Sequence, residues 1–127
     1  MIVLDSSAVI ALMLQEAGSD AVEAVLDNSA ISTANVAEVY SKASELGMPS
    51  RVCDAVFALK GIAIVPLSFF QAQMVGALRG PTRAAGLSLG DRCCLALARE
   101  IVAPALTADR QWVGIAESVG IEVRLIR

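Results

Sequence analysis

Short apolar runs alternate along the chain with longer segments in which apolar residues recur at helical spacing. The short runs predict strands, and the longer segments predict helices. The predicted strands are residues 2–4, 30–32, 62–67, 105–107 and 121–126. The predicted helices are residues 7–14, 18–28, 35–46, 51–60, 68–78, 89–102 and 110–119, and residues 79–86 form a loop between two of them. This alternation predicts an α/β fold of three layers, in which helices cover both faces of a mostly parallel central sheet.

The composition of the chain is unusually apolar for a single domain. Its 127 residues suffice for one core, and because we find no internal repeat or linker, we expect one domain over residues 1–127. Hydrophobic residues make up 56% of the chain, and the mean hydropathy is +0.65. These values indicate a surface that needs a partner.

The sequence has no feature typical of a membrane or exported protein. The longest apolar runs, residues 8–14 and 61–67, are far shorter than the roughly 20 residues of a membrane span. No basic segment precedes an apolar run at the start, as it would in a signal peptide. Three cysteines, two of them adjacent, do not make a disulfide framework, which favours a reducing cytoplasm. The net charge of −3 means that metal ions or a local arginine cluster would have to attract a nucleic acid.

Four carboxylates are predicted to meet at one edge of the sheet. Asp5 directly follows the first predicted strand, and Asp109 follows the strand at residues 105–107. Asp91 lies in the first turn of a helix, and Glu38 lies in the first half of another. Covering helices run antiparallel to the strands, so their first turns lie at the carboxyl edge, where parallel sheets bind ligands.

Asp91 has two explanations that the sequence leaves open. It lies on the apolar face of its helix, where an unpaired carboxylate is costly. Ser88 and Asp91 have the spacing of a capping box, and the helix dipole would favour the charge. The alternative is a role in metal binding or catalysis.

Asp5 and Asp109 also have structural alternatives, because each could cap the helix that follows it. Ser7 and Thr107 are short hydroxyl residues beside these two acids. They could orient a carboxylate or a water molecule, or they could hydrogen-bond the local backbone. Their joint placement at one edge favours the functional interpretation.

Glu38 is the least distinctive of the four acids. Helical spacing puts it on the same side as Lys42, and an exposed ion pair of residues four apart would explain it. The three cysteines are expected to pack in the core rather than bind a metal. Cys94 lies on an apolar helix face, Cys93 lies at its border, and Cys53 is remote in sequence.

A cluster of such acids requires a cation or protonation. Two unit charges 4 Å apart repel by about 4 kcal/mol at an effective dielectric near 20. Oxygen ligands without histidine or thiolate select hard cations such as Mg²⁺ or Mn²⁺, which suit phosphodiester hydrolysis. Arg79, Arg83 and Arg92 lie close to Asp91 in sequence and could contact phosphates, or they could belong to a solvated loop.

Four segments carry a resemblance to a known family. They are VLDSSAVIALML at residues 3–14, ISTANVAEVY at 31–40, LSLGDRCCLALA at 87–98 and LTADRQW at 106–112. In this order and spacing, the chain resembles the PIN domain, and specifically the VapC-type ribonuclease toxins of prokaryotic toxin–antitoxin pairs. The resemblance covers essentially the whole chain and implies a PIN-like α/β/α fold.

The resemblance also implies a site and an activity. The metal-site acids would be Asp5, Glu38, Asp91 and Asp109, and Ser7 and Thr107 match the small hydroxyl positions. Glu38 rests on this match, since the pattern alone does not separate it from Glu45. The family implies an endoribonuclease that uses Mg²⁺ or Mn²⁺ to cut structured RNA, often tRNA or ribosomal RNA. It also implies a homodimer that is inhibited by a cognate antitoxin, whose C-terminal segment covers the active-site groove.

Two other functional classes make different demands on the sequence. A receiver domain would need an acidic pair after the first strand, a phosphorylated aspartate after a middle strand and a late lysine, and the chain has none of these. A non-catalytic PIN-like module that binds RNA or protein remains as the alternative, because an intact set of acids does not prove turnover. Metal-dependent cleavage of RNA separates the two.

Overall fold

A computed structural model describes all residues, 1–127, as a five-stranded parallel sheet covered by helices on both faces. The strands are β1 (Ile2–Leu4), β2 (Ser29–Ser32), β3 (Ala63–Val65), β4 (Ala105–Thr107) and β5 (Val123–Leu125). The helices are α1 (Ser6–Leu14), α2 (Ser19–Glu23), α3 (Thr33–Glu45), α4 (Ser50–Leu59), α5 (Phe69–Ala77), α6 (Arg79–Thr82), α7 (Leu89–Ile101) and α8 (Val113–Val119). Two short 3-10 helices, Leu26–Asn28 and Arg110–Trp112, complete the order. The three-layer α/β prediction is confirmed.

Strand β1 lies at the centre of the sheet, whose order is β3-β2-β1-β4-β5. Val3 is aligned with Ala30 of β2 on one side and with Ala105 of β4 on the other. All three residues of β1 are buried. This explains why the central strands read as short continuous apolar runs, as buried parallel strands do.

Two apolar clusters, one on each face of the sheet, make up the core. Val3 packs into one cluster, and its neighbours Ile2 and Leu4 pack into the other, because successive strand residues point to opposite faces. The first cluster holds the buried face of α7, including Cys93 and Cys94, and the second holds the inner faces of α1, α3 and α4. All three cysteines are buried and unpaired, in agreement with a packing role.

The structure differs from the sequence prediction at several elements. The helix expected over residues 110–119 begins with the 3-10 turn Arg110–Trp112 before α8, and the strand expected over 121–126 is reduced to β5. The helix expected over residues 18–28 is divided into α2 and a 3-10 turn, and it begins after Gly18, whose φ of 91° is left-handed. The loop expected over 79–86 contains α6, where the buried Thr82 hydroxyl donates to the Leu78 carbonyl at 2.7 Å. The third strand is shorter than expected and mostly exposed, because β3 is an edge strand.

None of the helices combines the length and the apolar character required to cross a membrane.

Candidate active site

Four separate elements bring carboxylates to the carboxyl edge of the sheet. Asp5 follows β1, Asp109 lies just beyond β4, Asp91 is in the first turn of α7, and Glu38 is in α3. The charges of Asp91 and Glu38 act on Asp5, and those of Glu38 and Asp109 act on Asp91. The structure therefore places these four residues at the same edge of the sheet, as chain direction predicted.

Asp5 is the most buried of these acids, with only 2% of its surface exposed. Its Oδ2 accepts hydrogen bonds from the Ser7 hydroxyl at 2.6 Å and from the Thr107 hydroxyl at 2.9 Å. Its Oδ1 is buried and has no partner. Although Asp5 occupies the position before α1, its side chain makes no capping bond, so the capping alternative is wrong for this residue.

Ser7 and Thr107 connect Asp5 to the backbone of the neighbouring strand end. The Ser7 oxygen accepts from the Ala108 amide at 2.9 Å, and the Thr107 oxygen accepts from the Asp109 amide at 3.1 Å. Each hydroxyl has a single proton and donates it to Asp5. The two hydroxyl oxygens lie 3.2 Å apart, but no proton remains for a hydrogen bond between them. Both hydroxyls therefore orient the carboxylate.

The environment of Asp5 opposes its ionisation. Burial raises its pKa from the ordinary 3.8 to about 6, the bonds from Ser7 and Thr107 act against this increase, and the charges of Asp91 and Glu38 add to it. All four salt bridges of the chain lie elsewhere, so none of these acids is paired with an arginine or lysine. The cluster thus has excess negative charge, which a cation would relieve.

Asp91 and Asp109 combine a capping bond with a place in the cluster. Asp91 Oδ2 accepts from the Ser88 amide at 2.8 Å, and Ser88 Oγ accepts from the Asp91 amide at 3.2 Å, so the capping box is formed. Asp109 Oδ1 accepts from the Gln111 amide at 2.9 Å. Burial nevertheless raises the pKa of Asp91, and the charges of Glu38 and Asp109 act in the same direction. The capping explanation is therefore confirmed without excluding a functional one.

Glu38 is held by partners that the sequence analysis missed. Its Oε1 accepts from Asn35 Nδ2 at 2.8 Å, and its carboxylate lies against Gly90, where a Cβ atom would overlap it. The ion pair expected with Lys42 is wrong, because Lys42 lies 3.8 Å from Glu45 instead. The sequence offered one signal for Asn35, a polar residue one helical turn before Glu38.

The donor set fits a hard divalent cation. The residues that would hold it are the carboxylates of Asp5, Glu38, Asp91 and Asp109, with no histidine or thiolate among them. The buried, unpartnered Oδ1 of Asp5 is an acceptor that a cation would satisfy. In this side-chain arrangement no three acidic or cysteine side chains are close enough to share one ion, and uncompensated carboxylates repel one another.

An apolar recess of about 490 Å³ adjoins the cluster. Glu38 and Gly90 line its acidic end, and Leu67, Val75 and Leu89 contribute apolar walls. Ile64 of β3 and Phe69 and Phe70 of α5 are also exposed, as are Leu59, Val102 and Val113 on other elements. Exposed apolar surface is therefore present beside the acids but is not confined to that region.

Among the arginines, Arg92 differs from the sequence expectation. Its guanidinium Nη1 donates to the Val75 carbonyl at 3.0 Å and so joins α7 to α5. Arg79 and Arg83 are exposed, on and just after α6. Of the three arginines considered from the sequence, these two are therefore the exposed ones.

The family model described as PIN domain matches residues 2–118. The chain belongs to the PIN domain family. This PIN domain has no significant match among curated proteins.

Solved structures with the same fold include toxins and toxin–antitoxin complexes. A toxin–antitoxin complex from Klebsiella pneumoniae is 24% identical, with a TM-score of 0.75, over 100% of this chain and 98% of that one. The sarcin-ricin loop cleaving toxin VapC20 of Mycobacterium tuberculosis is 14% identical, with a TM-score of 0.74, over 90% and 94%. DNA-bound VapBC from Salmonella typhimurium is 15% identical, with a TM-score of 0.75, over 99% and 98%. At these identities the similarity establishes the fold.

Proposed function

We propose that this PIN domain is a Mg²⁺- or Mn²⁺-dependent endoribonuclease and the toxin of a type II toxin–antitoxin pair. The observation that carries the proposal is the environment of Asp5, a buried carboxylate with one unpartnered oxygen, a pKa of about 6 and further acids around it. Titratable groups perturbed in this way are typical of functional sites.

In this proposal, Asp5, Glu38, Asp91 and Asp109 hold the cation. When bound, Mg²⁺ or Mn²⁺ would lower the pKa of an attacking water and stabilise the leaving oxygen of a phosphodiester. Ser7 and Thr107 both donate to Oδ2 of Asp5, and its Oδ1 remains without a partner as the acceptor available to the cation.

RNA is the proposed substrate, possible examples being tRNA and ribosomal RNA. The chain has the fold of a toxin that cleaves the sarcin-ricin loop, and this similarity supports an RNA target. With a net charge of −3, the protein has little general attraction for a polyanion, so the bound cation and the exposed Arg79 and Arg83 would provide the local positive charge.

A cognate antitoxin and a second copy of the chain are the proposed protein partners. The recess beside Glu38 and the exposed Phe69 and Phe70 offer apolar area that a partner would cover. The presence of antitoxins in complexes with the same fold supports this assignment. We place the pair in the cytoplasm, where the three unpaired cysteines would stay reduced.

The proposal is tested by RNA cleavage with purified, antitoxin-free protein. Cleavage should require Mg²⁺ or Mn²⁺ and stop with EDTA, and Asp5→Ala and Asp109→Ala should each abolish it while circular dichroism shows a retained fold. The exposed Asp20→Ala serves as the matched control and should cleave as the wild type does. Activity that resists EDTA, or that persists in both site variants, would reject the metal mechanism. RNA binding without cleavage would identify a non-catalytic module.

A further inference from the structure

Asn35 joins α3 to the first turn of α7. Its side chain is fully buried, and its Nδ2 donates to Glu38 Oε1 at 2.8 Å and to the Gly90 carbonyl at 2.9 Å. One amide group therefore holds both a carboxylate one helical turn away and the backbone of a helix 55 positions further along the chain.

The orientation of this amide follows from its partners. Both partners are oxygen acceptors, so a flipped amide would direct Oδ1 at two other oxygens. In the orientation found, Oδ1 of Asn35 is buried without a partner. A buried, half-satisfied amide is costly, and an apolar residue would avoid that cost. Its presence therefore indicates that the two donated bonds serve a purpose other than stability.

Gly90 supplies the space into which Glu38 extends. A Cβ atom at this position would overlap the carboxylate carbon and both carboxylate oxygens of Glu38. Gly90 does not have a positive φ, so a need for left-handed backbone does not explain why this position is a glycine. Glycine is also unfavourable in a helix relative to alanine. The close approach of Glu38 is the remaining reason for it.

Neither contact neutralises Glu38. The Asn35 amide is uncharged, and the nearest lysine along α3, Lys42, is paired with Glu45. Glu38 is thus fixed in place without a cationic partner, on an element packed against the helix that carries Asp91. An arginine or lysine partner would also fix it, but it would compete with a cation for the carboxylate.

We propose that Asn35 and Gly90 are positioning residues that hold the Glu38 carboxylate beside Asp91 before a divalent cation binds. The inference rests on the proposed metal site and specifies how one of its ligands is prepared. Residues that orient metal ligands typically change metal affinity by about 10–100-fold when they are replaced.

The first test measures Mn²⁺ affinity by titration calorimetry in the wild type and in Asn35→Leu, which keeps the branched shape of the side chain but removes the donor. We expect the dissociation constant to rise about 10–100-fold. Gln71→Leu is the matched control, because Gln71 is also a buried amide (2% exposed) and donates to Glu100 of α7. Both variants lose a buried interhelical bond, but only Asn35→Leu should lose Mn²⁺ affinity.

Gly90→Ala tests the positioning of Glu38 by filling the space that its carboxylate occupies. The added methyl group should displace Glu38 and weaken Mn²⁺ binding to a similar extent. Alanine favours the helix, so this variant should lose less stability than Asn35→Leu. Gly76→Ala is the control, since it lies in α5 with open space around it, and it should bind Mn²⁺ as the wild type does. A purely structural role would not weaken binding equally in two variants of unequal stability.

Crystal structures of metal-free wild type and Asn35→Leu then measure the placement directly. We expect the Glu38 carboxylate at Asn35 in the wild type and displaced in the variant. If Glu38 is unmoved, or if both site variants bind Mn²⁺ with wild-type affinity, the positioning role is overturned while the proposed function stands. If the wild type itself does not bind Mn²⁺, the proposed metal site and this inference are both overturned.

Discussion

Replacing Asp5 with asparagine removes the carboxylate that the fold makes hardest to ionise. The native pKa of about 6 lies above the ordinary 3.8, so native Asp5 keeps its proton to a higher pH than the unfolded chain does. Between these values the native state binds more protons, and the free energy of unfolding falls as the pH rises. The difference corresponds to about 3 kcal/mol, which is fully lost above the native pKa.

Asp5→Asn should lack this dependence on pH. The assay is urea or thermal unfolding in EDTA at about pH 4 and about pH 8. Because pH 4 lies just above the ordinary pKa of 3.8, part of the effect is already lost there, and the wild type should lose about 2.5 kcal/mol relative to the variant, or roughly 10 °C in melting temperature. The exposed Asp27→Asn is the control and should follow the wild type. Identical pH dependence in the wild type and Asp5→Asn would refute the conclusion that the fold raises the pKa of Asp5. Excess Mn²⁺ should stabilise the wild type at pH 8 and leave Asp5→Asn nearly unchanged.

Two further variants test the cluster and the fold. In EDTA, Asp91→Asn should melt within a few degrees of the wild type, because it keeps an oxygen for the Ser88 amide and relieves the repulsion between carboxylates. Mg²⁺ at 100 times its dissociation constant should stabilise the wild type by about 2.7 kcal/mol, and the variant should lose much of this stabilisation. An equal fall with and without metal, with cleavage retained, would argue for capping alone. Gly18→Ala should lose at least about 2 kcal/mol in urea unfolding, since its φ is 91° and a Cβ would overlap the Ile126 carbonyl. Gly47→Ala, with φ of 69° and open space, should lose clearly less; equal losses would contradict the steric argument.

The positions of Asp5 and Asp109 could be predicted from the sequence because they depend only on chain direction. Each follows a short apolar strand, and parallel strands end at one edge of a sheet. What chain direction does not determine is which atoms meet. Both hydroxyls donate to Oδ2 of Asp5, and one of these hydrogen bonds joins residues 5 and 107, which are more than a hundred positions apart.

Glu38 shows where a periodic pattern is insufficient. Helical spacing alone made it look like one member of an exposed pair with Lys42, yet its carboxylate extends towards α7. That approach depends on Asn35 and Gly90, and the latter lies on a different helix. Nothing local in either segment shows that the two helices pack together there, so the resemblance to a family was needed to select Glu38.

The elements that the sequence misplaced have tertiary causes. Gly18 lies close to the Ile126 carbonyl, just after β5, so the start of α2 depends on a contact with a residue that is distant in sequence. A strand was predicted over residues 62–67, but β3 spans only Ala63–Val65 and, at the edge of the sheet, is mostly exposed. Strand order is a property of the whole sheet, which hydrophobicity along one segment does not reveal.

The proposed activity of this carboxylate cluster is the cleavage of RNA. Its most direct test is to map RNA ends after brief induction of the wild type and of Asp5→Asn in cells, with protein levels matched by immunoblot. We predict a small number of new ends at defined sites with the wild type and none with Asp5→Asn. The same new ends with both proteins, or no new ends with the wild type at equal abundance, would contradict the account.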